Sequence, residues 1–495
     1  MKQTVKGAKA KKVKNSKKAY TLGAFAYFAG TAVLFAIFLL MIAINVGSEA
    51  SQYIRENTNG IVLICISFCI VSGIMYCYFY FENKKFILSV SKIVEVFLLL
   101  SVSLFISYLI GKYVNAAARP VAFLALMAVT LLGRREAIFL NIIFALQMFI
   151  LDNFSDVTGL NALETSESYN FLVLTFCTGM IGIFITPRIK TRIGSVLIAF
   201  VLLIPIEVIT ALLGTVDADQ FDRILNLLLF GVLSSFFSVL LYMFLLPVFE
   251  VMFSELTVFR LRELASEQAK LIRRLKKNAP GTYHHSMTVA QIAEACAQAI
   301  GEDSELARAA AYYHDVGKLK NPEMFTENQT DYNVHNELTP ELSVDIIRSH
   351  TRDGANLIRK AHLPEFFADI AIQHHGTLPI KYFYAKALKM SDGELNIENY
   401  SYSGPTPTSK IAAIIMIADA SEAAARSLTN RSPEKVEELV RNIIEERLDL
   451  EQFDHCNITM SELTTIKLTI VSQLTGVYHS RVAYPKLKIS KKKHE

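Results

Sequence analysis

Between residues 20 and 253 the chain passes through one long apolar stretch after another, with few charges among them. This restricts the fold more than any other feature. A bilayer core is crossed by about 20 apolar residues in helix, because lipid offers no partner to an unpaired backbone N–H or C=O. The runs lie at roughly 20–46, 60–81, 86–111, 118–133, 136–151, 170–187, 193–214 and 224–249, which predicts a bundle of about eight membrane helices. A hydrophobic content of 52% against 19% charged residues reflects this half alone, since residues 254–495 read as an ordinary soluble segment. The fourth and fifth runs are short. They are either thin spans or a re-entrant pair divided at Gly133-Arg134-Arg135-Glu136.

Charge placement predicts the orientation. Residues 1–19 are rich in Lys and free of acids, and the apolar run after them is too long for a signal peptide, so the tail is read as cytoplasmic. Counting from there, inner loops hold Lys84-Lys85, Arg134-Arg135, Arg188, Lys190 and Arg192. Outer loops hold Asp152, Asp156, Glu164 and Glu167, then Asp217, Asp219 and Asp222, with Lys112 and Arg119 as exceptions. Both chain ends then face the cytoplasm of a multi-pass plasma-membrane protein. Glu95 and Glu207 lie inside apolar runs, where charge is costly and a functional role is the first suspicion. The six Cys include no CxxC pair and imply no disulfide framework. The net charge of +4 arises with a basic tail at each end and does not mark a nucleic-acid surface.

From Glu255 to Lys277 leucines alternate with Arg, Glu and Lys in helical rhythm, which predicts a juxtamembrane helix beside anionic headgroups, ended by Pro280-Gly281. The rest reads as all-helical. Val289, Ile292, Ala293 and Cys296 mark one apolar face, and Ile411, Ile414, Ile415 and Ala418 another. Ser432-Pro433-Glu434 is an N-cap with proline at the first helical position. Residues 392–409, with Gly393, Gly404, Pro405 and Pro407, read as a loop. The domain plan is therefore a basic tail (1–19), a membrane bundle (20–253), a helical linker (254–280), a soluble domain (281–486) and a second basic tail (487–495).

The soluble domain carries the chemistry. No histidine occurs before His284, and eight of the eleven then fall between His284 and His375. Neutral imidazoles with carboxylates and no nearby Cys suit Mn, Fe, Zn or similar ions. His285, His314, Asp315 and Asp419 can converge on one divalent metal, and His350, His374 and His375 on a second, with Asp315 shared. Two such ions against two carboxylates leave about +2, a seat for a phosphodiester, and would lower a bridging water's pKa from about 15.7 towards 7. Asp315 and Lys318 are the candidate catalytic residues, Lys318 as a point charge for phosphate. Tyr382 and Tyr384 are candidates for stacking on a base, although aromatics at that density more often belong to a core. His284, His335, His362, His455, His479 and His494 are read as ordinary surface or core residues.

The motifs HHS at 284–286, HDVGK at 314–318, His350, HHG at 374–376 and the ADASEA run around Asp419 resemble the HD phosphohydrolase superfamily. APGTYHHSM, AAAYYHDVGKLKNP, FTENQ, IIRSHTRDGANL, QHHGTLPIKYFYAKAL and VYHSRVAYPK are similar to one branch, the membrane-anchored PgpH-type cyclic di-AMP phosphodiesterases. The resemblance implies a di-iron or di-manganese centre, with the same seven ligands, hydrolysing cyclic di-AMP to linear pApA through a metal-bridging hydroxide. Relatives that cleave cyclic di-GMP carry a Gly-Tyr-Pro after the His pair, whereas TLPIKYFY follows here. Typical members also have a large extracellular domain between the first two spans, where this chain has only residues 47–59.

Expected partners are thus cyclic di-AMP and membrane lipid, with no nucleic-acid polymer, and a homodimer stays open. Two competing readings remain. The same centre could act on cyclic di-GMP, an alarmone or a nucleoside triphosphate, or the protein could be a nucleotide-binding receptor or transporter. The complete ligand set argues against the latter.

Overall fold

A computed structural model describes residues 2–46, 55–56, 58–153, 165–213, 221–329, 332–391, 393–428 and 432–477. The chain divides into two compact units, residues 1–259 and 260–495. Among the described residues both are helical, and the only β pairing is an isolated bridge between Pro379 and Ser401.

The first unit consists of α1 (Lys2–Val46), α2 (Thr58–Phe81), α3 (Lys84–Leu88), α4 (Val90–Tyr113), α5 (Phe123–Leu131), α6 (Arg134–Asn153), α7 (Thr165–Ile185), α8 (Val196–Leu213) and α9 (Phe221–Met252). Among the described residues six segments are long and apolar enough to cross a membrane: Ala19–Met41, Thr58–Phe81, Val90–Tyr113, Phe171–Arg188, Ile193–Leu212 and Leu225–Met252. The two short runs differ from the rest. The fourth forms only the nine-residue α5, enclosed by α4, α6, α7 and α9, and Gly133, at φ +99°, turns the chain into α6. α6 opens on Arg134, Arg135 and Glu136, which lowers its hydropathy below that of the six. Large apolar side chains remain exposed around the unit, Phe25 at 71% and Phe244 at 72% among them, as a lipid-facing surface requires. The chain is accordingly a multi-pass membrane protein.

Two charged side chains buried inside this unit, Arg119 and Glu95, are paired. Arg119, an exception to the charge bias, donates to both carboxylate oxygens of buried Asp152 at 2.8 Å, so its charge is cancelled internally. Glu95 is buried and accepts from Lys92 at 3.0 Å, and Lys92 also meets Glu255 at 2.7 Å. The Glu207 carboxylate faces Gly231 of α9, where any Cβ would collide with it. Asp156, Glu164, Asp217, Asp219, residues 47–54 of the first loop and the C-terminal basic tail lie outside the described residues.

The expected single linker helix is instead two short ones, α10 (Val258–Leu264) and α11 (Lys270–Asn278). Leu271, Ile272 and Leu275 of α11 are buried in the second unit, so α11 is part of that fold. Pro280 does not end this segment so much as begin the next, at the first position of α12 (Pro280–Ala299), where its missing N–H costs nothing.

The second unit wraps α12 in α13 (Ser304–Tyr313), α17 (Lys410–Ser427) and α19 (Met460–Val477). α14 (Pro340–Lys360) and α15 (Glu365–Gln373) pack beside them, and α16 (Lys381–Met390) and α18 (Pro433–Asp449) complete the fold. Four helix starts are visible in sequence. Asp303 caps α13 by accepting from the Leu306 N–H, Thr339 caps α14, Ser409 caps α17 and Ser432 caps α18. The buried Val289, Ile292, Ala293 and Cys296 of α12 and Ile411, Ile414, Ile415 and Ala418 of α17 make the core that sets the two helices side by side.

Candidate metal centre

Five histidines and two aspartates from separate helices meet in the second unit. His285 projects from the first half of α12, His314 caps the end of α13 and Asp315 follows it. His350 stands midway along α14, His374 and His375 follow α15, and Asp419 lies mid-way along α17. They form two groups, His285–His314–Asp315–Asp419 and Asp315–His350–His374–His375, and within each the donor atoms all lie within 4.8 Å of one another.

Asp315 belongs to both groups because its two oxygens face opposite ways. Oδ1 lies 3.3 Å from His350 Nε2 and 3.6 Å from His374 Nε2, while Oδ2 lies 3.4 Å from His314 Nε2 and 3.8 Å from His285 Nε2. Gly317 makes this possible, since a Cβ there would run into the His350 backbone carbonyl and the Gly354 N–H. The Gly of HDVGK thus lets the turn after Asp315 press against α14.

The rings are oriented by their other nitrogens. His314, His350 and His374 each donate Nδ1–H to the carbonyl three residues earlier, on Ala311, Ile347 and Ala371. In the neutral ring that leaves each Nε2 as a lone pair aimed at the cluster. His285 is held by a side chain, with Nδ1 2.5 Å from Glu422 Oε2 and Nε2 2.9 Å from Asp419 Oδ1. Arg426 holds the other Glu422 oxygen at 2.6 Å.

Two features of this arrangement fit cations. The Nε2 atoms of His350 and His374 face each other at 3.3 Å, and with both Nδ1–H groups committed, two lone pairs oppose each other. His314 Nε2 and Asp315 Oδ1 are buried without a hydrogen-bond partner. Buried polar atoms in proteins usually find a partner, and these two lie inside the donor cluster, where a cation would supply one. A nitrogen- and carboxylate-rich donor set of this kind suits divalent transition metals.

The protein's charges divide the two groups. Burial disfavours the His314 cation, but Asp315 and Asp419 outweigh it and raise its pKa to about 10. His285 is raised too, as Asp419 and Glu422 overcome burial. Burial lowers His350 to about 3, helped by His374 and Lys318 and opposed by Asp315 and the Ile347 carbonyl. Asp315 stays well below the usual carboxylate range despite its burial, because Lys318 and His314 stand beside it. Lys318 donates to Asp315 Oδ2 at 2.7 Å and Glu327 Oε1 at 2.8 Å, and its ammonium lies over the Phe325 ring.

Tyr384 packs in a satellite cluster with Phe383, Tyr400 and Val344, its hydroxyl donating to the Leu395 carbonyl, whereas Tyr382 is 66% exposed on α16. The rings touching the site histidines are others: Tyr402 against His375 and Phe325 against His350. His335 binds the Met324 carbonyl and His455 binds Thr406, while His362 occupies a turn, and His479 and His494 lie outside the described residues. Glu422, Arg426, Glu327 and Tyr402 are the neighbours that sequence reasoning missed. Only Glu422 carried a signal, three residues from Asp419 on the same helical face.

Comparison with known proteins agrees with these motifs. Residues 282–424 match the family model of the HD domain, and residues 59–257 match that of the 7TM receptor with intracellular HD hydrolase. The chain is 40% identical over 373 residues to the cyclic-di-AMP phosphodiesterase PgpH of Bacillus subtilis, covering 74% of this chain and 51% of that protein. Against the protein of the same name from Listeria monocytogenes it is 37% identical over 369 residues, covering 74% and 50%. The chain therefore spans about half the length of the curated relatives it matches. The crystal structure of the L. monocytogenes phosphodiesterase PgpH HD domain in complex with cyclic-di-AMP is 48% identical, covers 43% of this chain and 99% of that one, and has a TM-score of 0.41. The chain belongs to the HD phosphohydrolase superfamily and, within it, is a homologue of the PgpH proteins.

Proposed function

We propose that the protein is a membrane-anchored, metal-dependent phosphodiesterase that hydrolyses cyclic di-AMP to linear pApA. The observation that carries this reading is the Asp315 carboxylate set between two histidine groups, one oxygen towards each. His285, His314, Asp315 and Asp419 would hold one divalent ion, and His350, His374, His375 and Asp315 a second, iron or manganese being suited to such donors. When bound, such a pair neutralises charge developing on a phosphoryl group and lowers the pKa of water towards 7, supplying hydroxide as nucleophile.

The remaining work falls to the chain's own groups. The backbone carbonyls behind His314, His350 and His374 hold each Nδ1–H, so that the neutral ring presents Nε2 inward. Lys318, kept cationic by Asp315 and Glu327, is the charge offered to a phosphate oxygen. Tyr382, exposed on α16, is the aromatic face available to an adenine. The substrate assignment is supported by the named activity of relatives 37–40% identical to this chain. A cytoplasmic placement of the second unit and of both termini is supported by the Lys and Arg bias of the alternate loops, to which Arg119 is no longer an exception.

The test is hydrolysis of cyclic di-AMP by the full-length protein in lipid, with Mn(II) or Fe(II), beside Asp315→Ala. Conversion to pApA by the wild type alone is expected. Cleavage confined to guanine nucleotides would overturn the substrate, and no cleavage of any nucleotide would leave a binding module.

A further inference from the structure

Four of the five site histidines are fixed by a directional hydrogen bond at Nδ1: three to backbone carbonyls and His285 to Glu422. His375 differs. Among the described residues it has no such bond; its Nδ1 lies 3.7 Å from Asp419 Oδ2, beyond hydrogen-bonding distance. It is also the site histidine that reaches solvent, with a side chain 22% exposed where the other four are 6% or less.

What holds this ring is contact on its faces. The His374 ring lies 4.0 Å away, tilted by 43°, and the Tyr402 ring lies 4.3 Å away, stacked at 26°. Tyr402 also meets His350 edge-on at 6.1 Å, so one aromatic ring touches two histidines of the same group. Its position is not left to a free loop. The Tyr402 N–H donates to the Leu378 carbonyl at 3.0 Å, the Ile380 N–H donates to the Tyr400 carbonyl at 2.8 Å, and the bridge between Pro379 and Ser401 lies between them. The Leu378 N–H in turn donates to the His375 carbonyl at 3.2 Å. Gly376, at φ +52°, makes the turn between, and Gln452 accepts from the Thr377 N–H at 3.1 Å. His375 and Tyr402 are thereby tied to one short backbone frame.

We infer that Tyr402 is the positioning residue of His375, supplying by ring stacking the orientation that hydrogen bonds supply to the other four histidines. A stacked face fixes the plane of an imidazole but not its rotation within that plane, so His375 is the most adjustable donor of the set and sits at the solvent-facing edge. The inference rests on the proposed metal centre, and metal binding, not turnover, reads it out. Outer partners of metal-binding histidines typically contribute 10–100-fold to metal affinity.

The experiment is titration of the full-length, metal-free protein in detergent with Mn(II), following free Mn(II) by its electron paramagnetic resonance signal. Wild type, Tyr402→Phe and Tyr402→Leu are compared. The wild type and Tyr402→Phe, which keeps the ring, should each take two ions with the same affinities. Tyr402→Leu should keep one site unchanged and bind the second ion about 10-fold or more weakly, with activity restored by raising Mn(II). Wild-type affinities at both sites of Tyr402→Leu would overturn the inference, and so would a Tyr402→Phe as weak as Tyr402→Leu, because the hydroxyl would then be the active group. A wild type that takes up no metal would instead overturn the metal centre itself.

Discussion

Glu422→Gln separates the two halves of the proposed centre without disturbing the fold. Glu422 Oε2 stands 2.5 Å from His285 Nδ1, a charge-assisted contact that makes His285 a better donor through Nε2. Glutamine keeps an oxygen for the Nδ1–H but loses the negative charge. The ion held by His285, His314, Asp315 and Asp419 should therefore bind 10–100-fold more weakly, about 1.4–2.8 kcal/mol. The other ion, whose histidines are oriented by Ile347 and Ala371, should be unaffected. The amide turns its NH2 towards Arg426, which is 45% exposed and can swing into water. The Arg426 pair contributes about 0.3–0.5 kcal/mol and the lost charge on the His285 contact about 1 kcal/mol, so the unfolding midpoint of the metal-free protein should fall by only a few degrees. The assay is Mn(II) titration of the metal-free full-length protein, paired with thermal unfolding. Equal weakening of both sites with a midpoint lowered by about ten degrees or more would show that Glu422 holds the fold instead (about 3 kcal/mol or more), and two unchanged sites would refute the argument.

Three further outcomes follow from other contacts. Gly317→Ala places a methyl against the His350 carbonyl and should cost about 1–3 kcal/mol as overpacking, read as a lowered unfolding midpoint together with lost metal uptake. Metal-free His314 keeps its proton up to about pH 10, whereas His350 is neutral above about 3. Since ligation needs the neutral ring, filling the first group at pH 7 should release a proton from His314, and its affinity should rise about tenfold per pH unit for each proton displaced. Calorimetry in buffers of different ionisation enthalpy checks this, and a proton-free uptake would contradict it. In the membrane unit, Arg119→Leu strands the buried Asp152 carboxylate and should destabilise by about 3–5 kcal/mol, while the double change Arg119→Leu/Asp152→Leu recovers most of that, as measured by unfolding in detergent.

The parts legible in the sequence share one property: their signal is local or unusually dense. Membrane helices announce themselves by uninterrupted apolar runs, and the helix starts of the second unit by Asp303, Thr339, Ser409 and Ser432. The site histidines stand out because none precedes His284 and eight of the eleven fall between His284 and His375. Length alone left α5 open between a thin span and half of a re-entrant pair, because a fully apolar segment enclosed by four other helices looks in sequence like one that meets lipid. The linker broke into α10 and α11 because burial of Leu271, Ile272 and Leu275 in the second unit outweighs the continuity of the leucine rhythm. What stayed hidden is the layer that aims the histidines. Backbone carbonyls at Ala311, Ile347 and Ala371 carry no side-chain signature, and Tyr402 reaches His375 through a backbone bridge formed across 21 intervening residues, between 379 and 401. A sequence therefore names the donors of such a centre more readily than it names what orients them, because donors must be particular residue types whereas orientation is supplied by whatever the fold brings near.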